Sequence, residues 1–141
     1  FFNYRRTTFL VIRSINREVK NMSWKPHDAV LYARQHAYAH STHHCARAVA
    51  DAIRARGIRI KGADAKNFWR SLENAGFTKV SGTLIEGDVA VIDALPGHNQ
   101  YGHACIYDGS GTWYSDFIQR SMYPGASYRA IQPAVTFYRH Y

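Results

Sequence analysis

The chain has 141 residues, 46% of them hydrophobic, 14% aromatic and 20% charged, which is enough apolar material for one sizeable core and excludes a collagen-like or disordered chain. Eighteen Lys and Arg against ten Asp and Glu leave a net charge of +8 with the eight histidines neutral, so an anionic partner or surface is expected. Arginine suits carboxylates, phosphates and nucleic acid alike, and charge alone does not choose among them.

No run reaches the roughly 18 to 20 apolar residues that span a bilayer. The chain opens Phe1-Phe2 without a methionine, which reads as a processed product or a domain of something longer. Phe9-Leu10-Val11-Ile12 is shorter than the core of a signal peptide, which takes about 7 to 15 residues. Thr7 to Ile12 can form a strand, since β-branched and aromatic residues suit a pleated surface. Arg5, Arg6, Arg13, Arg17 and Lys20 are scattered here and read as a solvated face. With no repeat, low-complexity tract or linker, residues 1–141 read as one domain.

From Pro26 a helix is expected, with Ser23 upstream as a cap, Pro26 in the first turn, and Ala29, Val30, Ala33 and Ala37 recurring on one face until about Ala39. A second helix runs from Cys45 to Arg56 and stops at Gly57. Ser41 and Thr42 offer capping oxygens before it, and Ala46, Val49, Ala50 and Ile53 make a small-residue face suited to close packing on a sheet. A third helix, N-capped by Asp64, extends to Ala75, with Gly76 as its stop. After Gly76 short strands are expected at 77–80, 88–92, 103–107, 112–117 and 134–138. Turn residues separate them at Glu86-Gly87-Asp88, Pro96-Gly97-His98-Asn99 and Asp108-Gly109-Ser110-Gly111. Helices first and an antiparallel meander afterwards predict an α+β domain with the helices packed on one side of the sheet.

Cys45 opens a helix, where free N–H groups and the helix dipole stabilise an anion, so its thiol pKa is expected to fall. His103 follows a glycine at the start of a strand and can meet that helix end, giving the Cys/His pair of covalent acyl transfer. Period-two alternation puts Cys105 on the same face, one step further inside, as core filler, with a Cys45–Cys105 disulfide as the alternative. The histidine needs a polar group to fix its tautomer. Asp116 is favoured, then Gln119, then Ser115, because strand register is not readable from sequence.

Cys45 before an Ala-rich helix, the Gly87-Asp88-Val89-Ala90-Val91-Ile92 strand, then Gly102-His103-Ala104-Cys105-Ile106-Tyr107-Asp108-Gly109 and a polar-aromatic strand together resemble the papain-like NlpC and CHAP amidase superfamily, over about residues 41–120. The resemblance implies a papain-like fold and cleavage of amide bonds in bacterial peptidoglycan. It implies Cys45 as nucleophile, His103 as base and acid, Asp116 at the position of the third polar residue, and no cofactor. Ser115-Asp116-Phe117-Ile118-Gln119 followed by Pro124-Gly125 further resembles amidase toxins delivered into competitors, such as type VI secretion effectors and bacteriocin domains. That likeness implies a site of action in the cell wall or periplasm of a target bacterium and a cognate immunity protein. The oxyanion would be held by the Cys45 N–H and one further donor, with Tyr32 and Tyr38 as sources.

Two other readings compete. His36, His40, His43 and His44 have spacings that zinc ligands use, although no acidic residue occurs from Arg34 to Arg47. The charge of +8, with arginine among tyrosine and tryptophan, also fits a nucleic-acid-binding module, but no nucleic-acid motif accompanies it.

Overall fold

The computed structural model describes residues 24–141. The expected strand at Thr7–Ile12, the Ser23 cap and the basic residues from Arg5 to Lys20 lie outside the described residues. Helix α1 spans Pro26–His36 and buries Ala29, Val30 and Ala33, the spacing read from sequence. It ends at His36 rather than near Ala39, because Ala37 turns into extended backbone. Tyr38 then lies parallel to Phe117, donating its N–H to the Asp116 carbonyl (2.8 Å) while its own carbonyl accepts from Ile118 (3.2 Å).

Helix α2, Cys45–Ala55, buries Ala46, Val49, Ala50, Ala52 and Ile53. No side chain caps it, and His44 takes the N-cap position, so Ser41 and Thr42 do not serve as expected. Asp64 caps as predicted, its carboxylate accepting from the Asn67 N–H at 3.0 Å. What it caps is a 3-10 turn, Ala65–Asn67, that leads into helix α3, Phe68–Asn74.

Six strands follow: β1 (Thr78–Val80), β2 (Val89–Ile92), β3 (His103–Tyr107), β4 (Trp113–Tyr114), β5 (Ile118–Gln119) and β6 (Val135–Arg139), with helix α4 (Ala126–Ile131) before the last. They form one sheet in the order β1-β6-β2-β3-β4-β5, antiparallel at every pairing. The α+β class is as predicted, but the meander holds only from β2 to β5, because β6 inserts between β1 and β2. An ion pair helps to fix that insertion. Asp88, wholly buried at the start of β2, takes two 2.8 Å hydrogen bonds from the Arg139 guanidinium of β6.

One face of the sheet, presenting Val89, Val91, Ala104, Ile106, Tyr114 and Tyr138, packs in the main core with the helical residues Val30, Val49, Ile53, Phe68 and Leu72. Burying a residue of this kind contributes about 1.5–3 kcal/mol. The alternate residues Ala90, Cys105 and Trp113 form a second cluster joined by Met122, Val135 and Phe137. Ile92, Leu95 and Tyr128 of α4 form a third. The segment from Met122 to Tyr128 therefore covers the second face, a correction to the expectation of helices on one side only. Gly87 shows why the Gly-Asp pair opens β2: its φ is +91°, and a side chain there would collide with Pro26 of α1.

Candidate active site

Cys45 and His103 line the same cleft, of about 500 Å³, together with Arg47, Asp64, His98 and Tyr101. Cys45 is the first residue of α2 and His103 the first of β3, so the helix–sheet packing brings their element ends together. The backbone N–H groups of Ala104, Ala46 and Cys45 all act on the sulfur. Gly102, at φ +74° with a position that a β-carbon would drive into the Ile92 carbonyl, lets the chain enter β3 close beside β2.

The histidine is fixed through a chain of hydrogen bonds. His103 Nε2 lies 2.7 Å from Gln119 Oε1. The Gln119 amide nitrogen donates to the carbonyls of Ser121 (3.0 Å) and Met122 (2.9 Å), so Gln119 can only accept from the ring. His103 must then carry its proton on Nε2, which leaves Nδ1 with a lone pair as the basic nitrogen. The ring is 6% exposed and sits between Phe117 and Tyr128, at centroid distances of 6.3 and 6.1 Å.

Asp116, expected to orient His103, makes a different set of bonds. Strand β4 stops at Tyr114, and Ser115 and Asp116 form a bend, which breaks the alternation assumed for 112–117. The Asp116 carboxylate accepts from the Thr42 N–H, from the Thr42 hydroxyl at 2.8 Å and from the His44 N–H at 3.4 Å. It holds the turn that delivers Cys45, and its charge still acts on both Cys45 and His103. Burial alone would raise its pKa, but the donors from Thr42 and His44 outweigh it and hold the carboxyl below its ordinary value. The same turn places His43 at φ +65°, with its N–H on the Ser41 hydroxyl. Ser115 is buried and bonds only locally, to Phe117.

Burial pushes the Cys45 thiol above its ordinary pKa, more strongly than the three N–H groups lower it. The expected fall does not occur, because enclosure costs an anion more solvation than those dipoles return. Burial likewise lowers the His103 pKa, against the Gln119 hydrogen bond and the charge of Asp116. Both shifts favour the neutral form of the group concerned.

Cys105 is fully buried, both cysteines are free thiols, and burial drives the Cys105 pKa far upward, as suits core filler. The ends of α1 separate His36 from His40: His36 closes the helix, bonded to the Tyr32 carbonyl at 2.8 Å and stacked on the Tyr32 ring, while His40 lies beyond the extended Ala37. Among the described residues no three His, Cys, Asp or Glu side chains gather as a metal ligand set. Tyr32 and Tyr38 line a neighbouring cleft with Thr42, His44, Arg47 and Asp116, not the one that holds the sulfur. Sequence reasoning missed Tyr128, whose hydroxyl is buried and lies within reach of Asn99 and of the electrostatic influence of Cys45. Its place on a short helix between β5 and β6 gave no periodic signal.

A cysteine at a helix N-terminus that shares a cleft with a histidine at the start of a central antiparallel strand, with a polar residue bonded to the ring, fits a papain-like α+β protein. The chain resembles the effector in the type VI native effector–immunity complex Tae3–Tai3 from Ralstonia pickettii, at 40% identity and a TM-score of 0.78, over 84% of this chain and 100% of that one. The selenomethionine form of that complex matches at 39% identity and a TM-score of 0.71, over 79% of this chain and 98% of the other. The chain belongs to the Tae3 family of type VI effectors. Ly7917, 16% identical with a TM-score of 0.55 over 82% of this chain and 62% of its own, shares the fold. No family model and no curated protein sequence matches.

Proposed function

We propose that this protein is a cysteine amidase that cleaves amide bonds in the stem peptides of bacterial peptidoglycan through a thioester, as an antibacterial toxin delivered to the periplasm of a target cell. The observation that carries the chemistry is the His103–Gln119 hydrogen bond with the Gln119 amide locked behind it. It supports a base with its free lone pair at Nδ1. Membership of the type VI effector family and the likeness of the Gly-Asp and Gly-His strands to peptidoglycan amidases support the substrate class. The relatives were solved as effector–immunity complexes, which supports a cognate immunity protein for this chain.

In this reading the Cys45 thiol attacks the scissile carbonyl as His103 Nδ1 takes its proton. The oxyanion forms at the first turn of α2, where the Cys45 N–H donates to it. Collapse breaks the C–N bond, and the imidazolium returns the proton to the leaving amine, leaving a thioester on Cys45. Water, deprotonated by the same imidazole, hydrolyses the thioester and regenerates the thiol. Gln119 orients His103. Asp116, the residue first favoured for that role, instead positions the turn before the nucleophile.

Purified sacculi provide the test. Wild-type protein is expected to release muropeptides whose new termini, read by mass spectrometry, identify the bond. Cys45→Ala and His103→Ala are each expected to abolish release with an unchanged circular dichroism spectrum. Full activity in Cys45→Ala would remove the proposal.

A further inference from the structure

Arg47 stands two residues beyond Cys45 on α2 and lines both the cleft that holds Cys45 and His103 and the adjoining cleft walled by Tyr32, Tyr38 and Asp116. It is exposed. The carboxylates that line these two clefts each bond to groups other than Arg47, although one oxygen of Asp116 has no hydrogen-bond partner among the described residues. Asp64 accepts from the backbone and side chain of Asn67 at 3.0 and 3.1 Å. Asp51 pairs with Arg54 at 2.9 Å, and Asp116 accepts from Thr42 and His44. Among the described residues Arg47 has no ion-pair partner. The junction of the clefts thus holds a permanent cation with no direct ion pair among the described residues, at the positive end of an 11-residue helix that Cys45 opens. His43, His44 and His98 line the first cleft too and add no negative charge.

We propose that Arg47 determines specificity by binding a substrate carboxylate next to the amide bond that Cys45 attacks. The inference rests on the amide-cleaving reading above. A guanidinium presents a planar fork of donors that matches a carboxylate, and its charge survives at any working pH. A carboxylate held there presents the neighbouring carbonyl to the sulfur and the first-turn N–H groups, so recognition and positioning are one event.

Alkylation of Cys45 in the full chain reads the local field without any substrate. Iodoacetate carries the carboxylate and iodoacetamide its neutral counterpart, while the buried Cys105 does not compete and Cys45→Ala supplies the blank. The ratio of iodoacetate to iodoacetamide rates is expected to fall roughly five-fold in Arg47→Gln and to be largely kept in Arg47→Lys. The second arm compares a stem peptide with its carboxylates free and the same peptide amidated. Arg47→Gln is expected to raise KM about tenfold for the free acid, with kcat nearly unchanged, and to leave the amidated peptide as it was. An unchanged alkylation ratio, or equal losses on both peptides, overturns the proposal. Wild-type protein that cleaves neither peptide nor sacculi overturns the amidase reading instead, and the alkylation ratio then still decides whether Arg47 makes the cleft select anions.

Discussion

His103 and Gln119 are joined by a 2.7 Å hydrogen bond between Nε2 and Oε1 across sixteen residues of chain, and the direction of that bond is fixed by what the other end of Gln119 does. An amide whose N–H groups both point at carbonyls cannot turn round to donate to the ring. Gln119→Ala should release the tautomer and lower kcat roughly 10- to 100-fold on sacculi, with little change in KM. Full kcat in that variant would remove Gln119 from the mechanism.

Asp116 should behave differently. It is 3% exposed and accepts from Thr42 and His44 in part-buried hydrogen bonds, so Asp116→Ala loosens the turn before Cys45 and should cost about 1–3 kcal/mol of stability, read by denaturant unfolding. Because its pKa is lowered in the fold, the carboxylate contributes stability that is complete above the ordinary carboxylate value and is lost as the pH falls through the lowered one. The wild-type protein should therefore lose stability in that acid window, and Asp116→Asn should lose less across it. Parallel wild-type and Asp116→Asn curves would contradict the assignment.

For the proposed reaction, the two shifted groups predict a pH profile. His103 has a lowered pKa, so the acid limb of kcat/KM should lie below the ordinary imidazole value of about 6.5. Its burial as a neutral ring also stabilises the fold above that value and less below it, since the unfolded chain binds the proton more readily. Cys45 has a raised pKa, and its alkylation by iodoacetamide should have a midpoint above that of an ordinary thiol. A midpoint near or below neutrality would instead indicate a preformed thiolate–imidazolium pair.

Gly102 sets the approach of β3. At φ +74°, with the Ile92 carbonyl where a β-carbon would stand, Gly102→Ala combines backbone strain with a clash and should destabilise the protein by about 1–3 kcal/mol or more. His103 would shift with it, so activity should fall further than the unfolded fraction explains. Unfolding curves and sacculus assays on the same sample separate the two effects.

The amino-acid sequence carried most of what is local. The buried faces of α1 and α2, the Asp64 cap and the strands expected at 88–92 and 103–107 all depend on spacing and on residue chemistry a few positions apart, which a single chain displays directly. Only the tertiary structure decided the order of the sheet, the partner of His103 and the enclosure of Cys45. Register between β3 and β5 depends on where β4 breaks, and the two-residue bend at Ser115-Asp116 turns the carboxylate toward Thr42 and the amide of Gln119 toward the ring. Thiol acidity is a balance between helix-end dipoles, readable from position, and lost solvation, which exists only once the cleft has closed around the sulfur.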